Sequence, residues 1–345
     1  EGSFIEYGSL VFAARRARNT VDELIRRTPA DGLVMGIGHV NGSLFGEEVS
    51  RVVAMSYDYM VLAGTQGKKN HAKKDRMFEL AAQWKLPVVI FTEGGGGRPG
   101  DTDQIFAANL HTTAFSLFAK LSGAVPLVGI ASGRCFAGNA VLLGCCDVII
   151  ATKNSSIGMG GPAMIEGGGL GVFHPDEVGP IDVQTRSGVV DIAVENETEA
   201  VAAAKLYLSF FQGRVDQWSA PDQRLLRRIV PENRLRVYDV RKVLQVLADD
   251  GSLLELRRHF GVAMITAFMR IEGRPVGVIA NNPMHLGGAI DSDAADKVAL
   301  AGERDQPRGR FPHQVVANVM AERVIDFLEL VEIDEVNGDA AGARF

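Results

Sequence analysis

Two glycine-rich stretches stand where a chain could receive a developing negative charge. In the first, Phe91-Thr92-Glu93-Gly94-Gly95-Gly96-Gly97-Arg98 follows the short apolar run Pro87–Phe91. In the second, Gly133-Arg134-Cys135-Phe136-Ala137-Gly138-Asn139-Ala140 follows Pro126–Ala131 and leads into a helical pattern beginning near Ala137. The first N–H groups of a helix have no acceptor within it and point out of its end. The helix dipole adds partial positive charge there, and glycine carries no Cβ to hold a carbonyl group away. Together these features suit an oxyanion hole. The same spacing suits a helix packed closely on a strand, and the local pattern leaves both open. Further glycines cluster at Gly158, Gly160 and Gly161 and at Gly167 to Gly169.

Other chemistries lack their residues. There is no G-x-S-x-G nucleophile elbow and no phosphate-binding G-x-x-x-x-G-K-[ST]. Gly36, Gly38 and Gly42 miss the dinucleotide fingerprint by one residue and run into Asn41-Gly42, a hairpin signal. The three cysteines, Cys135, Cys145 and Cys146, form no C-x-x-C pair, so no metal site is expected and a reducing cytoplasm fits. The net charge of −6 argues against a nucleic-acid partner. No apolar run reaches the roughly eighteen residues of a membrane span, and no signal peptide is visible. Lys68, Lys69, Lys73, Lys74 and Arg76 surround His71; they read as a solvated helix face, with phosphate contacts as the sharper alternative and a structural role for His71.

The elements that must position these residues follow from periodicity. Asp31–Val40 reads as a strand, and so does Met60-Val61-Leu62. Met77, Leu80, Ala81 and Trp84 share one face of a helix over Asp75–Trp84. Pro87–Phe91, Pro126–Ala131 and Asp147–Ala151 are short buried-strand patterns, with a helix over Asn109–Ser122 between the first two. Strand and helix in alternation imply an α/β layered core. After a linker at Gln217–Asp222, a helix over Asp239–Leu247 precedes strands Ala263–Arg270 and Val276–Ala280, joined at Glu272-Gly273. This second pair echoes the first. A helix starting over Asp293–Lys297 follows, but no equivalent buried strand and glycine turn is expected. Val315–Leu330 reads instead as one amphipathic helix, and the tail from Asn337 as loose.

Several ordered motifs then carry a resemblance. Glu93–Asp101, EGGGGRPGD, resembles the S-G-G-A-R segment of the carboxyltransferases of biotin-dependent acyl-CoA carboxylases. Gly133–Ala140, GRCFAGNA, resembles their G-x-C-x-A-G-G-A segment. MGGPAMIE, SGVVDIAVENETEA, YDVRKVLQVLADDGSLLEL and GRPVGVIANNPMHLGGAIDSDAADK agree in order, as does EGSFIEYG near the start. The resemblance implies a crotonase-like ββα superhelix over 1–217, on the acyl-CoA side. It implies the start of a second, truncated crotonase-like domain over 218–297, on the biotin side, and a divergent helical tail over 298–345. It implies carboxyl transfer from carboxybiotin, borne by a partner carrier, to the α-carbon of an acyl-CoA through a thioester enolate. Gly138 and Asn139 would supply backbone oxyanion donors, with Asn139, which replaces a family glycine, narrowing the acyl pocket. Gly95, Gly96, Gly97, Arg98 and Ala137 would line the substrate site, and Gly160, Gly161 and Pro162 would form its wall. Partners implied are biotin carboxylase, the biotin carboxyl carrier and further copies of the chain. The incomplete second domain raises the alternative of an acyl-CoA-binding or assembly subunit without turnover. A crotonase-type hydratase would need placed carboxylates, for which Glu166 is the nearest candidate.

Overall fold

The apolar runs become a parallel sheet because each is short, rich in β-branched residues and stopped by a turn. A computed structural model describes residues 3–98, 100–103, 113–233, 235–304 and 316–319. Its strands are β1 (Ile5–Glu6), β2 (Leu33–His39), β3 (Arg51–Tyr57), β4 (Val88–Phe91), β5 (Leu127–Ala131), β6 (Arg134–Phe136), β7 (Val148–Thr152), β8 (Ser156–Gly158), β9 (Ile192–Val194), β10 (Leu254–Leu256), β11 (Met264–Ile271), β12 (Arg274–Asn281) and β13 (Val316–Val319).

The chain divides into two compact units, the first running to Arg214 with Arg257–Phe260 added, the second holding Val215–Leu256 and Gly261–Ala301. In the first, seven strands form one sheet in the order β1-β2-β3-β4-β5-β7-β9, and β6 pairs with β8 in a small separate ladder. The sheet is antiparallel across β1, β2 and β3 and parallel from β3 onward. Every residue of β5 and β7 is buried, as expected of parallel strands covered on both faces. The Lys68–Trp84 helix lays Met77, Phe78 and Ala81 into the same core as Met55, Val88 and Leu127. The Phe78 and Phe118 rings pack there at 4.6 Å. This crotonase-like α/β arrangement is the one the motifs imply.

The second unit pairs β10, β11, β12 and β13 in order. The β11–β12 hairpin turns through Glu272 and Gly273, both at positive φ (51° and 75°). The Asp249 carboxylate accepts both amides, at 3.0 and 2.7 Å, which holds the non-glycine residue in that conformation. The Val240–Leu247 helix, capped by Asp239, buries Val240, Val243 and Leu244.

Four expectations fail for local reasons. Asn41-Gly42 is no two-residue hairpin. Asn41 is left-handed (φ 61°), but its side chain donates to Lys205 O and Gln212 Oε1 at 2.8 Å, and two single helical turns intervene before β3. Met60-Val61-Leu62 is no strand. Asp58 accepts Met60 N–H, Met60 is exposed, and Leu62 and Ala63 are left-handed. The Ser292–Arg304 helix extends the start read over Asp293–Lys297, and the equivalent strand not expected after it is present as β13. Val316–Val319, read as helix, is instead a strand parallel to β12. The other parts of the Val315–Leu330 and Asn109–Ser122 readings that fall on 109–112, 315 and 320–330, and the tail from Asn337, lie outside the described residues.

Candidate active site

Three glycine segments converge where β6 becomes a helix. Gly138 opens the Gly138–Gly144 helix, and Ala137 is its N-cap. Ala137 is held at φ 51°, ψ −124°, a strained conformation for a residue with a Cβ and one that functional sites favour. Its N–H donates to Gly158 O at 3.1 Å, tying the helix mouth to the end of β8. Phe136 pairs with Gly158, and a Cβ on Gly161 would sit 3.5 Å from the Phe136 ring. From the other side, Gly94 N–H donates to Arg134 O and Phe136 N–H to Gly94 O. Gly96 (φ 84°) comes so close that an added Cβ would stand 2.5 Å from Ala137 Cβ and 3.0 Å from Gly138 N.

The amides at this mouth are unpaired. Among the described residues, no acceptor receives Gly138 N–H, Asn139 N–H or Ala140 N–H, whereas the Ala137 and Val141 amides on either side are bonded. Gly138 is half-buried and Asn139 is fully buried. Gly95 and Gly97 are exposed, and Gly160 and Pro162 are half-buried. Glu166 is exposed on the Pro162–Gly167 helix.

Two site readings are corrected. The Arg98 side chain is 1% exposed and pairs with Asp31 at 2.5 Å, with Thr65 O at 2.7 Å and with Asp101 at 3.7 Å. Its guanidinium clamps the glycine turn from beneath and is not presented to a substrate. The Asn139 side chain points inward and narrows no pocket: Nδ2 donates to Gly64 O and Glu93 O at 3.3 Å, and Oδ1 accepts from Gln66 Nε2 at 2.9 Å.

The basic run is a solvated face only in part. Lys73 and Lys74 are buried. Lys73 Nζ donates to Ala30 O and Leu33 O at 2.7 and 2.6 Å, and Lys74 Nζ to Gln66 Oε1 at 2.6 Å. Burial pushes the Lys73 ammonium down to about 8 and lowers Lys74 well below the usual lysine range. Burial, helped by Lys74 and Arg98, pushes His71 down to about 3, so it is neutral at physiological pH. Its ring meets Phe115 edge-on at 6.0 Å.

Sequence reasoning missed Gln66, Lys74, Asp31 and Glu93. Gln66 is the hub: its N–H donates to Gly96 O at 2.7 Å and its carbonyl accepts Arg98 N–H at 2.9 Å. Glu93 accepts Ser132 N–H, and burial raises its carboxyl. A signal existed for Lys74, which shares a helical stripe with Asn70, Met77, Phe78 and Ala81; none existed for Gln66. Among the described residues no group of His, Cys, Asp or Glu side chains is placed to hold a metal ion, and no helix is long and apolar enough to cross a membrane.

The family model for the carboxyl transferase domain matches residues 1–308. The chain belongs to the carboxyl transferase domain family. Among its relatives, the biotin-dependent long chain acyl-coenzyme A carboxylase beta4 subunit of Mycobacterium tuberculosis is 31% identical over 86% of this chain and 56% of its own length. The structure of a single-chain, multi-domain long-chain acyl-CoA carboxylase matches with a TM-score of 0.87 and 52% identity, over 96% of this chain and 34% of that one. The transcarboxylase 12S structure, a hexamer assembly with substrate bound, matches with a TM-score of 0.75 and 27% identity, over 92% and 61%. This carboxyl transferase chain thus spans a little over half the length of the curated relatives it matches.

Proposed function

We propose that this carboxyl transferase domain binds an acyl-CoA with its thioester oxygen at the mouth of the Gly138–Gly144 helix and stabilises the enolate formed there. The observation that carries the reading is the pair of unpaired amides, Gly138 N–H and Asn139 N–H, at a point walled by three glycine segments. Fixed donors aimed at developing charge are worth most where water is excluded, and losing one typically lowers the rate by about 10² to 10³. Carboxybiotin, brought as co-substrate on a carrier partner, would supply the carboxyl group for the α-carbon and the nitrogen that takes the α-proton. This chain then needs no side-chain base. Gly138 and Asn139 hold the oxyanion. Gly95, Gly96 and Gly97 leave room for the acyl group on one side, with Ala137 at the mouth and Gly160, Gly161 and Pro162 on the other. Arg98 acts beneath, through the turn it clamps.

The 52% identity to a long-chain acyl-CoA carboxylase supports a long acyl chain as substrate. The proposal includes biotin carboxylase and carrier partners, supported by the biotin-dependent relative, and self-association, supported by the hexameric 12S relative. A cytoplasmic setting rests on the three free cysteines. The test is to incubate the chain with free biotin and either malonyl-CoA or its long-chain alkyl counterpart. The reading expects decarboxylation, faster for the long-chain ester. Binding of the ester with no turnover would leave an acyl-CoA-binding subunit, and no binding would overturn the reading.

A further inference from the structure

We propose that Lys74, Gln66 and Asn139 form a buried positioning relay that sets the amides of the helix mouth against the Gly94–Gly97 turn. The inference rests on the functional reading above and names what fixes the geometry of that site.

The relay has one possible direction. The Gly64 and Glu93 carbonyls only accept, so Asn139 Nδ2 faces them and its Oδ1 faces Gln66 Nε2. Gln66 Oε1 is then left to accept from Lys74 Nζ, which can donate as amine or as ammonium, and both amides are oriented. Each amide accepts at its oxygen and donates from its nitrogen to the next group, and such chains polarise one another.

The relay also touches both the Gly94–Gly97 turn and the helix mouth. Gln66 holds Gly96 and Arg98 by its backbone. A Cβ on Gly138 would lie 3.2 Å from Gln66 Nε2, so the glutamine amide packs directly behind the first donor residue. A Cβ on Gly94 would collide with Gly64 O and Asn139 Nδ2. The turn at Gly64, the turn at Gly94 and the helix mouth thus share one set of hydrogen bonds.

Scaffolding alone gives no reason for an amine here. Lys74 is fully buried, and among the described residues no carboxylate lies within ion-pair distance of it; its partners are Gln66 and, at 5.5 Å, the face of the Tyr57 ring. A fully buried amine with no carboxylate partner is costly whether it keeps or gives up its proton, and methionine or leucine would fill the space more cheaply. An amine is useful if its donor end must orient an amide that in turn orients the site.

The experiment compares the affinity of the full chain for two CoA ligands by calorimetry. One is an acyl-CoA; the other is a CoA thioether ionised as its nitronate, with anionic oxygen where the enolate oxygen would stand. The intact protein is expected to prefer the nitronate by roughly 100-fold or more. Lys74→Met and Gln66→Leu are each expected to lower that preference about tenfold, with acyl-CoA affinity within about twofold and the double variant no worse than either single. Asn139→Gly, which leaves the buried lysine and glutamine in place and installs the residue of the resembled pattern, is expected to lower it similarly. It keeps the test open if Lys74→Met does not fold. A merely structural role would move stability and leave the preference intact, so an unchanged preference in the folded variants overturns the relay. No nitronate preference in the intact protein overturns the functional reading itself.

Discussion

The two units begin with the same device and end it differently. In each, an antiparallel strand pair is followed by a helix and then by a strand parallel to the second member: β2, β3, the Lys68–Trp84 helix and β4 in one, β11, β12, the Ser292–Arg304 helix and β13 in the other. The sixth residue of each helix is a buried lysine, and each donates to the carbonyl of the first residue of its strand pair. Lys73 Nζ reaches Leu33 O at 2.6 Å and Lys297 Nζ reaches Met264 O at 2.8 Å. One position later the units part. The first has Lys74, which enters the polar chain to Gln66 and Asn139; the second has Val298, which packs beside Ala263 and Met264. The shared lysine is a scaffold tie, and the extra one belongs to the site.

That contrast can be broken in several ways. The largest expected effect is from Arg98→Ala, which leaves Asp31 buried without its partner. Such losses run to about 3 to 5 kcal/mol, readable as a lower urea midpoint, with acyl-CoA binding lost alongside because the glycine turn is freed. Next is Gly96→Ala, where a positive φ and a Cβ against Ala137 displace the turn. A shift of this kind is expected to lower carboxyl transfer by about 100-fold with far less effect on folding, and wild-type turnover in this variant would contradict the site geometry. Lys73→Met and Lys297→Met should each lose about 1 to 3 kcal/mol, since each takes the lysine donor from a buried strand carbonyl, Leu33 O or Met264 O. Only the shared scaffold should suffer: the nitronate preference of folded Lys297→Met is expected to match the intact protein.

The smallest effect is a pH dependence confined to the first unit. His71 titrates near 6.5 when unfolded and at about 3 when folded, because burial disfavours its charged form. The unfolded chain therefore binds the extra proton first as pH falls, and stability drops between those two values while none is lost above them. For this one group the loss is roughly 1 kcal/mol at pH 6. His71→Gln should show a smaller fall in unfolding midpoint between pH 8 and pH 6 than the intact protein, and an equal fall would count against the neutral buried imidazole.

Much of the fold was legible because β5 and β7 bury both faces and β4 buries one. Pro87–Phe91, Pro126–Ala131 and Val148–Ala151 are unbroken apolar runs, and the structure places β4, β5 and β7 on them. The glycine segments were legible as well, since close approach leaves a composition signature. What stayed hidden was tertiary. KKNHAKKDR reads as a charged face by composition, and only the helical stripe shared with Met77 and Phe78 marks Lys74 as inward. Asn41-Gly42 carries hairpin chemistry, yet partners at Lys205 and Gln212, far away in the chain, decide its conformation. Val316–Val319 is four residues long, and so short an apolar run fits a helix or a strand equally. Arg98 follows a glycine run and looks like a ligand for an anion; its partner Asp31 lies in a run that shows no sign of a buried acid.

The most direct measurement is the infrared stretch of a thioester carbonyl, isotope-labelled in acyl-CoA and read in difference between free and bound ligand. If Gly138 N–H and Asn139 N–H hold that oxygen, the band moves below its frequency in water when the complex forms. A bound ligand whose carbonyl keeps the frequency it has in water, or rises above it, would contradict the account.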